Sequence, residues 1–361
     1  MADRYPSLHV LGSNQFGGAD QFYVRLVNAL REAGQPVTAI TRRGSPVAEA
    51  LAGQPVEQVP LPFLNTWDAW TALKIRALTS RRQPCVVQTY MGRATRLTRL
   101  PKQSRAVHVA RLGGYYKLDG YYRHAQAWIG NTHGVCDYLV KSGLPAGRVF
   151  QIGNFVPEPG QVEPETLAHL RETWAIPEDA WVVFTLGRLI EVKGFQDMLR
   201  AWSRLPTQIA GRPVMLLIAG DGRFAEPLKA LARDLGLGPR LRWLGWQDQP
   251  AAFYRLADAF VCPSRHETLG NVILEAWSYG LPVVSTTTLG ALELIEDGRT
   301  GLLCPCSEPA ALADHLTALL SGSAQERSAL GAAGQAHLKR QFGKAAIVGA
   351  YLALYRDLLA R

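Results

Sequence analysis

The stretch from residue 256 to residue 301 constrains the fold more than any other part of this sequence. An apolar, β-rich run ends at Pro263, and a polar loop follows it. Hydrophobic periodicity and helix-terminating residues predict a helix between Gly270 and Tyr279 and a second strand from Pro282. A strand, a loop, a helix and a further strand in this order predict one unit of a doubly wound α/β fold.

Two glutamates flank the start of this helix, with seven residues between them. Glu267 lies in the loop before the helix, and Glu275 lies inside it. The unpaired N–H groups of a helix N-terminus, here from Leu269 to Val272, and its partial positive charge suit a phosphate. A carboxylate accepts hydrogen bonds from sugar hydroxyls. The pattern predicts a sugar, a diphosphate and a ribose in a row; a loop carboxylate plus a solvated helix face is the alternative.

The pair Glu267 and Glu275 resembles the E-x7-E motif of retaining glycosyltransferases of family 4. Members of that group have the GT-B fold and use nucleotide-sugar donors. Other segments match the family in the expected order, including the pair Gly17-Gly18 and the loop GRLIEVKG that starts at Gly187. The resemblance covers nearly the whole chain and is most specific between residues 187 and 301.

The resemblance implies an α/β protein of two Rossmann-like, doubly wound domains that face a cleft. We expect an acceptor-binding domain at residues 1–157 and a nucleotide-sugar-binding domain at residues 158–342. Prolines and glutamates after residue 156 are typical of an exposed linker. Residues 343–361 are expected to form a helix that crosses back and packs on the first domain.

Two cations follow the predicted strand that ends at Leu186. Arg188 and Lys193 lie five residues apart on one loop. An arginine as a forked donor and a lysine as a point charge suit a diphosphate, and they would stabilise the leaving nucleotide as its bond to the sugar breaks. A loop of surface salt bridges is the alternative interpretation.

The family pattern also implies contacts with the rest of the donor. Trp246 and Gln247 are expected to hold the base, Glu267 the sugar hydroxyls and Glu275 the ribose. The predicted donor site comprises Gly17, Gly18, Gly187, Arg188, Lys193, Trp246, Gln247, Glu267, Thr268, Leu269, Gly270, Asn271, Val272 and Glu275.

The chain departs from the family pattern in its first half. Asp20 stands where a glutamate commonly follows the glycine pair, and Leu112 stands where many members have a histidine. His108 lies inside a predicted strand and is not expected to replace that histidine. Asp119 is a candidate to receive or orient the acceptor hydroxyl, although an aspartate before Gly120 is also typical of a turn. The predicted catalytic residues are Glu267, Arg188, Lys193 and Asp119, none of them a covalent nucleophile.

Composition and charge set further limits. The 361 residues, 47% of them hydrophobic, suffice for two domains with a core each. Five cysteines without zinc-site spacing indicate a reducing compartment. No signal peptide or membrane span is predicted, so we expect a cytoplasmic protein. Residues 1–150 hold 19 Lys and Arg against 8 Asp and Glu, whereas residues 151–361 hold 20 against 22, so the first half is expected to face an anionic partner.

A predicted helix over residues 65–82 interleaves tryptophan with basic residues, and arginines continue to Arg105. Trp67 and Trp70 lie toward one side, and Lys74 and Arg76 lie largely elsewhere. Such a helix can lie on an anionic membrane surface. A solvated helix with its tryptophans in the core is the alternative, and nucleic-acid binding is disfavoured because no reader motif accompanies the charge.

The resemblance implies transfer of a hexosyl-type unit, with retention, from a nucleotide-sugar. We expect a UDP-sugar as donor and an anionic or lipid-linked glycan as acceptor, as in lipopolysaccharide or cell-surface polysaccharide biosynthesis at the inner face of a membrane. No cofactor or metal is expected, because Arg188, Lys193 and the helix N-terminus would neutralise the diphosphate. The alternatives are a GT-B-fold sugar-nucleotide epimerase, which needs no acceptor, and a non-enzymatic binder of polyanions or membranes.

Overall fold

The computed structural model describes residues 4–360. Two compact units divide the chain: the first unit runs to Phe155 and resumes at Phe342, and the second unit spans Val156–Gln341. The domain ends expected from the sequence, residues 157 and 342, lie beside these divisions. No helix within residues 4–360 is both long and apolar enough to cross a bilayer.

The first unit contains a seven-stranded parallel sheet, and helices connect its successive strands except β5 and β6, which a loop over residues 113–126 joins. Its strands, numbered along the chain, are β1 (Ser7–Leu11), β2 (Val37–Arg42), β3 (Glu57–Leu61), β4 (Val86–Tyr90), β5 (Val107–Leu112), β6 (Ala127–Gly130) and β7 (Val149–Gln151). Their order in the sheet is β3-β2-β1-β4-β5-β6-β7. The helices are α1 (Gly18–Glu32), α2 (Pro46–Ala50), α3 (Ala69–Ser80), α4 (Met91–Leu97) and α5 (His133–Lys141).

The second unit repeats the plan. Its strands are β8 (Trp181–Leu186), β9 (Gln208–Ile209), β10 (Arg212–Ala219), β11 (Leu241–Gly245), β12 (Ala259–Cys262), β13 (Val283–Thr286) and β14 (Leu302–Cys304). The parallel order is β11-β10-β8-β12-β13-β14, and β9 pairs antiparallel with β10. The helices are α6 (Pro164–Thr173), α7 (Phe195–Arg204), α8 (Ala225–Asp234), α9 (Ala251–Leu256), α10 (Asn271–Ser278), α11 (Leu289–Leu294), α12 (Pro309–Ser321) and α13 (Ala324–Phe342).

Helices cover both faces of the first sheet. Neighbouring residues Val86 and Val87 of β4 belong to different hydrophobic clusters, because successive side chains of a strand point to opposite faces. One cluster includes Phe22 of α1, and the other includes Ile75 of α3. Two-sided burial explains why the strands are apolar runs rather than alternating ones.

The last helix, α14 (Lys344–Leu359), belongs to the first unit. Its Tyr355 hydroxyl donates to Gln88 Oε1 at 2.7 Å, and Arg111 Nε donates to the Tyr351 hydroxyl at 2.9 Å. Arg111 is buried beneath this helix and also donates to Asn154. Buried polar groups with such partners fix the helix in one position on the sheet.

Helix α3 is shorter than predicted because Asp68 caps it: Thr71 N–H donates to Asp68 Oδ1 at 3.0 Å. The interpretation that its tryptophans lie in the core is wrong. Trp67 and Trp70 are 77% and 49% exposed, and the helix instead buries Ile75 against the sheet.

Candidate functional site

The carboxyl ends of the parallel strands β8, β10, β11, β12 and β13 lie at one edge of the second sheet, where ligands of such folds bind. The predicted donor residues of this unit lie in loops at that edge or on the helix that follows. Arg188 and Lys193 follow β8, Trp246 and Gln247 follow β11, and the segment from Pro263 to Gly270 connects β12 to α10.

Three glycines let these loops touch. A Cβ atom on Gly194, which has φ of 69°, would lie 1.8 Å from the carbonyl oxygen of Pro263. A Cβ atom on Gly220 would lie 1.9 Å from the carbonyl oxygen of Gly187, and one on Gly290 would lie 2.6 Å from that of Leu269. Side chains at these positions would force the loops apart, so the site depends on the absence of Cβ atoms.

Lys193 and Glu267 form an ion pair between the β8 loop and the loop that precedes α10. Lys193 Nζ donates to Glu267 Oε1, and Ser264 Oγ donates to the same oxygen at 2.9 Å. The two charged side chains are 22% and 12% exposed. The sequence predicts separate contacts for them with phosphate and sugar; the structure brings them together into one group. Because burial and then the Glu267 carboxylate raise the pKa of Cys262 to about 11, that thiol stays protonated beside them.

A second ion pair, absent from the predicted site, holds the same loop. Arg265 Nε and Nη2 donate to the two carboxylate oxygens of Asp197 on α7 at 2.6 and 2.8 Å. The N–H groups of Arg265 and His266 donate to the Val192 carbonyl at 2.9 and 3.2 Å. The hydrogen bonds with Asp197 raise the pKa of Arg265 above its usual value. This forked pair fixes the loop that carries Glu267 against the loop that carries Lys193.

Replacing Asp197 with asparagine is expected to lower the free energy of unfolding of the second unit by about 1.5–3 kcal/mol, because a charge-assisted bidentate contact is lost. Denaturant unfolding measures the change. The control is Glu226→Gln, which alters an exposed ion pair with Lys229 on α8 and should leave the unfolding transition essentially unchanged, because water and salt screen such a pair. Equal effects of the two substitutions would contradict the role of Asp197.

Helix α10 begins after Gly270, which has φ of 87° and makes no side-chain capping bond. Leu269 is buried, whereas Thr268, Asn271 and Val272 are half-buried at the start of the helix. Gly270 supplies no capping side chain, and the N-terminus of α10 carries the partial positive charge of a helix dipole, which suits a phosphate.

Glu275 lies one turn inside α10 and is half-buried. It accepts a hydrogen bond from the Tyr254 hydroxyl at 3.1 Å. Burial, and then the Glu275 carboxylate, raise the pKa of Tyr254 well above its usual value, so this hydroxyl remains a donor. The ribose contact expected of Glu275 stays a prediction.

The remaining candidates of the second unit differ in exposure. Arg188 is exposed and makes no ion pair within residues 4–360. Trp246 is 55% exposed and donates to Asp248 Oδ1 at 2.7 Å, so it is a surface aromatic and not a core residue. Gln247 Nε2 donates to the Leu244 carbonyl at 2.7 Å. Across the described residues, no group of three or more His, Cys, Asp or Glu is arranged to hold a metal ion.

The first unit contains the other candidates. Gly17 and Gly18 are exposed where α1 begins, and Gly17 N–H donates to Asp20 Oδ2 at 2.8 Å. Asp20 is buried, which raises the pKa of its carboxyl group, and its hydrogen bond from Gly17 holds the turn at the start of α1. Asp119 is exposed in a turn before Gly120, as the alternative interpretation expects, and it forms an ion pair with Arg123. His108 is buried inside β5 against Thr89, and burial lowers its pKa to about 3.

Comparison with known proteins identifies the family. Residues 168–337 match the family model of glycosyl transferases group 1. The lipopolysaccharide core biosynthesis glycosyltransferases LpsE and LpsD of Rhizobium meliloti (strain 1021) are 34% and 31% identical to this chain, each over 94% of this chain and 95% of the relative. The crystal structure of HepE from Anabaena with UDP and glucose aligns with 98% of this chain and all of that chain at a TM-score of 0.83 and 18% identity, which shows the GT-B fold. The chain therefore belongs to the glycosyl transferases group 1 family and is a glycosyltransferase.

Proposed function

We propose that this protein transfers a sugar, with retention of anomeric configuration, from a UDP-sugar to a glycan acceptor in lipopolysaccharide biosynthesis. The observation that carries the proposal is the ion pair of Lys193 and Glu267 beside the N-terminus of α10. Lys193 and the helix N-terminus suit a phosphate, and the Glu267 carboxylate suits sugar hydroxyls. The crystal structure of HepE, which shares the fold, contains HepE in complex with UDP and glucose, and this supports a UDP-sugar as the donor.

The charges of the site would stabilise the nucleoside diphosphate as it leaves the sugar. As the bond between the anomeric carbon and the diphosphate oxygen breaks, negative charge grows on the diphosphate. Arg188, Lys193 and the first turn of α10 would stabilise that charge, because preorganised donors act most strongly where charge develops. The acceptor hydroxyl oxygen bonds to the anomeric carbon on the face of the sugar from which the diphosphate departs. The hydroxyl proton passes to the departing diphosphate. Glu267 would orient the sugar through its hydroxyls.

The same charges support a reaction that needs no metal. Two cations and a helix N-terminus can neutralise a diphosphate without a divalent ion. Transfer is therefore expected to proceed at an unchanged rate after treatment with a chelator. A rate that disappears with the chelator and returns with Mg²⁺ or Mn²⁺ would contradict this part of the proposal.

The acceptor proposal draws on two observations. The relatives LpsE and LpsD act in lipopolysaccharide core biosynthesis by their names and match nearly the full chain. The positive charge of residues 1–150 favours an anionic or lipid-linked glycan, and it supports a peripheral position at the inner face of the cytoplasmic membrane.

Two experiments test the proposal. A thermal-shift panel of UDP, GDP, ADP and their sugars should show stabilisation by UDP-sugars, about 2.7 kcal/mol at a ligand concentration of 100 Kd. Mass spectrometry after incubation with UDP-sugar and lipopolysaccharide acceptor should show an acceptor heavier by one hexose. A converted nucleotide-sugar without a heavier acceptor would favour the epimerase, and the absence of any nucleotide binding would favour the non-enzymatic binder.

Trp246 is expected to stack on the base of the donor, because its ring is exposed at the ligand edge of the sheet. Replacing it with alanine should weaken UDP binding about tenfold, in line with a base–aromatic contact of about 1–3 kcal/mol. Isothermal titration calorimetry measures the change. Trp246→Phe keeps an aromatic face and should retain most of the affinity; equal losses in both variants would exclude stacking.

A further inference from the structure

The loop before α3 and the outer face of α3 expose four large apolar side chains. Leu64, Trp67, Trp70 and Leu73 are 69%, 77%, 49% and 64% exposed. Trp70 and Leu73 are three residues apart on the helix and therefore share one face. These four residues are here called the tryptophan surface. Scattered exposed apolar residues are ordinary, but a group of this size on one segment indicates a binding surface.

Helix α3 packs on the sheet through a mixed face, in which Ile75, Ala72 and Leu78 contact the hydrophobic core beside two buried threonines. Its buried residues are Thr71, Ile75 and Thr79, spaced four apart. The Thr71 hydroxyl donates to Asp68 Oδ2 at 2.6 Å, and the Thr79 hydroxyl donates to the Ile75 carbonyl at 2.8 Å. The helix thus buries two threonines while its tryptophan faces outward. Leu64, Trp67, Trp70 and Leu73 remain largely exposed, so the packing of the first unit does not account for their apolar character.

The charge around the tryptophan surface is almost entirely positive. Residues 62–105 contain nine lysines and arginines and one acidic residue, Asp68, which is buried as the cap of α3. Lys74 Nζ lies 5.2 Å from the centre of the Trp70 ring, and the Arg96 guanidinium lies 3.8 Å from that of Trp67. Cations and aromatic rings are therefore mixed within one surface, and residues 62–105 contain no exposed carboxylate, although Arg82 pairs with Glu57 of β3.

We propose that the tryptophan surface inserts into the interface of an anionic phospholipid bilayer, with the neighbouring cations on the lipid phosphates. Tryptophan combines an apolar body with a polar N–H and concentrates at the boundary between headgroups and acyl chains. Basic residues next to such anchors add attraction to anionic lipids. A second copy of the chain fits less well, because the same positive surfaces would face one another.

This inference deepens the proposed function by naming the surface that contacts the membrane, and it rests on that function only for the presence of a lipid-linked acceptor. Sedimentation with vesicles tests it. The protein should bind vesicles that contain phosphatidylglycerol, and binding should fall when salt is raised. Vesicles of phosphatidylcholine alone should bind about tenfold less or not at all. The double variant Trp67→Ala/Trp70→Ala should lose about tenfold or more in affinity for the anionic vesicles.

A matched pair of leucine variants tests whether vesicle binding depends on the tryptophan surface or on any exposed apolar residue. Leu73→Glu places a carboxylate on the tryptophan surface and should weaken vesicle binding. Leu292→Glu alters a leucine of similar exposure, 54% against 64%, on the second unit and should leave binding unchanged. Brominated lipids should quench tryptophan fluorescence in the wild-type protein and much less in the double variant.

Several results would overturn the inference: no binding to anionic vesicles, equal binding by the wild type and the double variant, or equal losses in both leucine variants. Self-association that disappears in the double variant while vesicle binding persists would assign the surface to a second copy instead. Transfer to a water-soluble acceptor fragment is expected to be unchanged in the double variant. Failure of vesicle binding with intact transfer therefore leaves the proposed function standing, whereas absent transfer with intact vesicle binding contradicts only that function.

Discussion

Replacing Lys193 with alanine is expected to lower kcat/KM for glycosyl transfer by about 10²–10³-fold, the usual loss when one preorganised donor to a developing negative charge is removed. The substitution also leaves the Glu267 carboxylate without its cation in a site where both side chains are largely buried. Steady-state kinetics with a UDP-sugar measures the loss.

The two partners of this pair should not act independently. Glu267→Ala is also expected to reduce transfer strongly, and the double variant should lose less than the product of the two single losses, because contacting residues are coupled by about 0.5–3 kcal/mol. The control is the exposed pair Lys229 and Glu226, whose side chains are 41% and 77% exposed. Lys229→Ala should change kcat/KM by about twofold at most. A Lys193→Ala variant as active as this control would contradict the role of Lys193.

Replacing Gly194 with alanine is expected to disrupt the site as a whole. The added Cβ would lie 1.8 Å from the Pro263 carbonyl oxygen, so the β8 loop and the loop before α10 must separate. We expect the free energy of unfolding to fall by about 3 kcal/mol or more, and transfer to be lost with it. Denaturant unfolding and UDP titration measure the two effects.

Gly236 provides the matched control for backbone strain. Its φ of 67° is close to the 69° of Gly194, but beyond its own chain neighbours no described heavy atom lies within 4 Å of the position that a Cβ would take. Gly236→Ala should therefore show only the cost of a left-handed backbone, about 1–2 kcal/mol, with unchanged UDP affinity. If Gly194→Ala behaved in the same way, the close approach of the two loops would not matter to the site.

The strands and helices of this chain could be predicted where the local pattern is strong. The strand predicted to end at Leu186 ends there in the structure, and the helix expected within residues 343–361 spans Lys344–Leu359. The helix predicted from residue 65 begins instead at Ala69, since Asp68 accepts from the Thr71 N–H and fixes the start. Capping bonds of this kind depend on side-chain geometry that hydrophobic periodicity does not encode.

The candidate site could be located from the sequence but not assembled. Glu267 and Lys193 each lie in a recognisable local motif, yet their contact joins positions 74 residues apart. The pair of Arg265 with Asp197 spans 68 residues and has no local signal at all. Gly194 is part of the motif, but glycine is required there because the Pro263 carbonyl approaches its Cα, and that contact forms only in the folded unit. The site is formed by contacts between residues far apart in the chain, and local patterns in a single sequence do not reveal which residues make them.

The central claim is that the β8 loop and the start of α10 hold the diphosphate of a nucleotide-sugar. Isothermal titration of UDP, UMP and uridine into the wild-type protein and the Arg188→Ala/Lys193→Ala variant tests it most directly. We expect the wild type to bind UDP far more tightly than uridine, with UMP between them, and the variant to lose about 3 kcal/mol or more for UDP while its affinity for uridine is unchanged. A variant that binds UDP as tightly as the wild type, or a wild type that does not distinguish UDP from uridine, would contradict the claim.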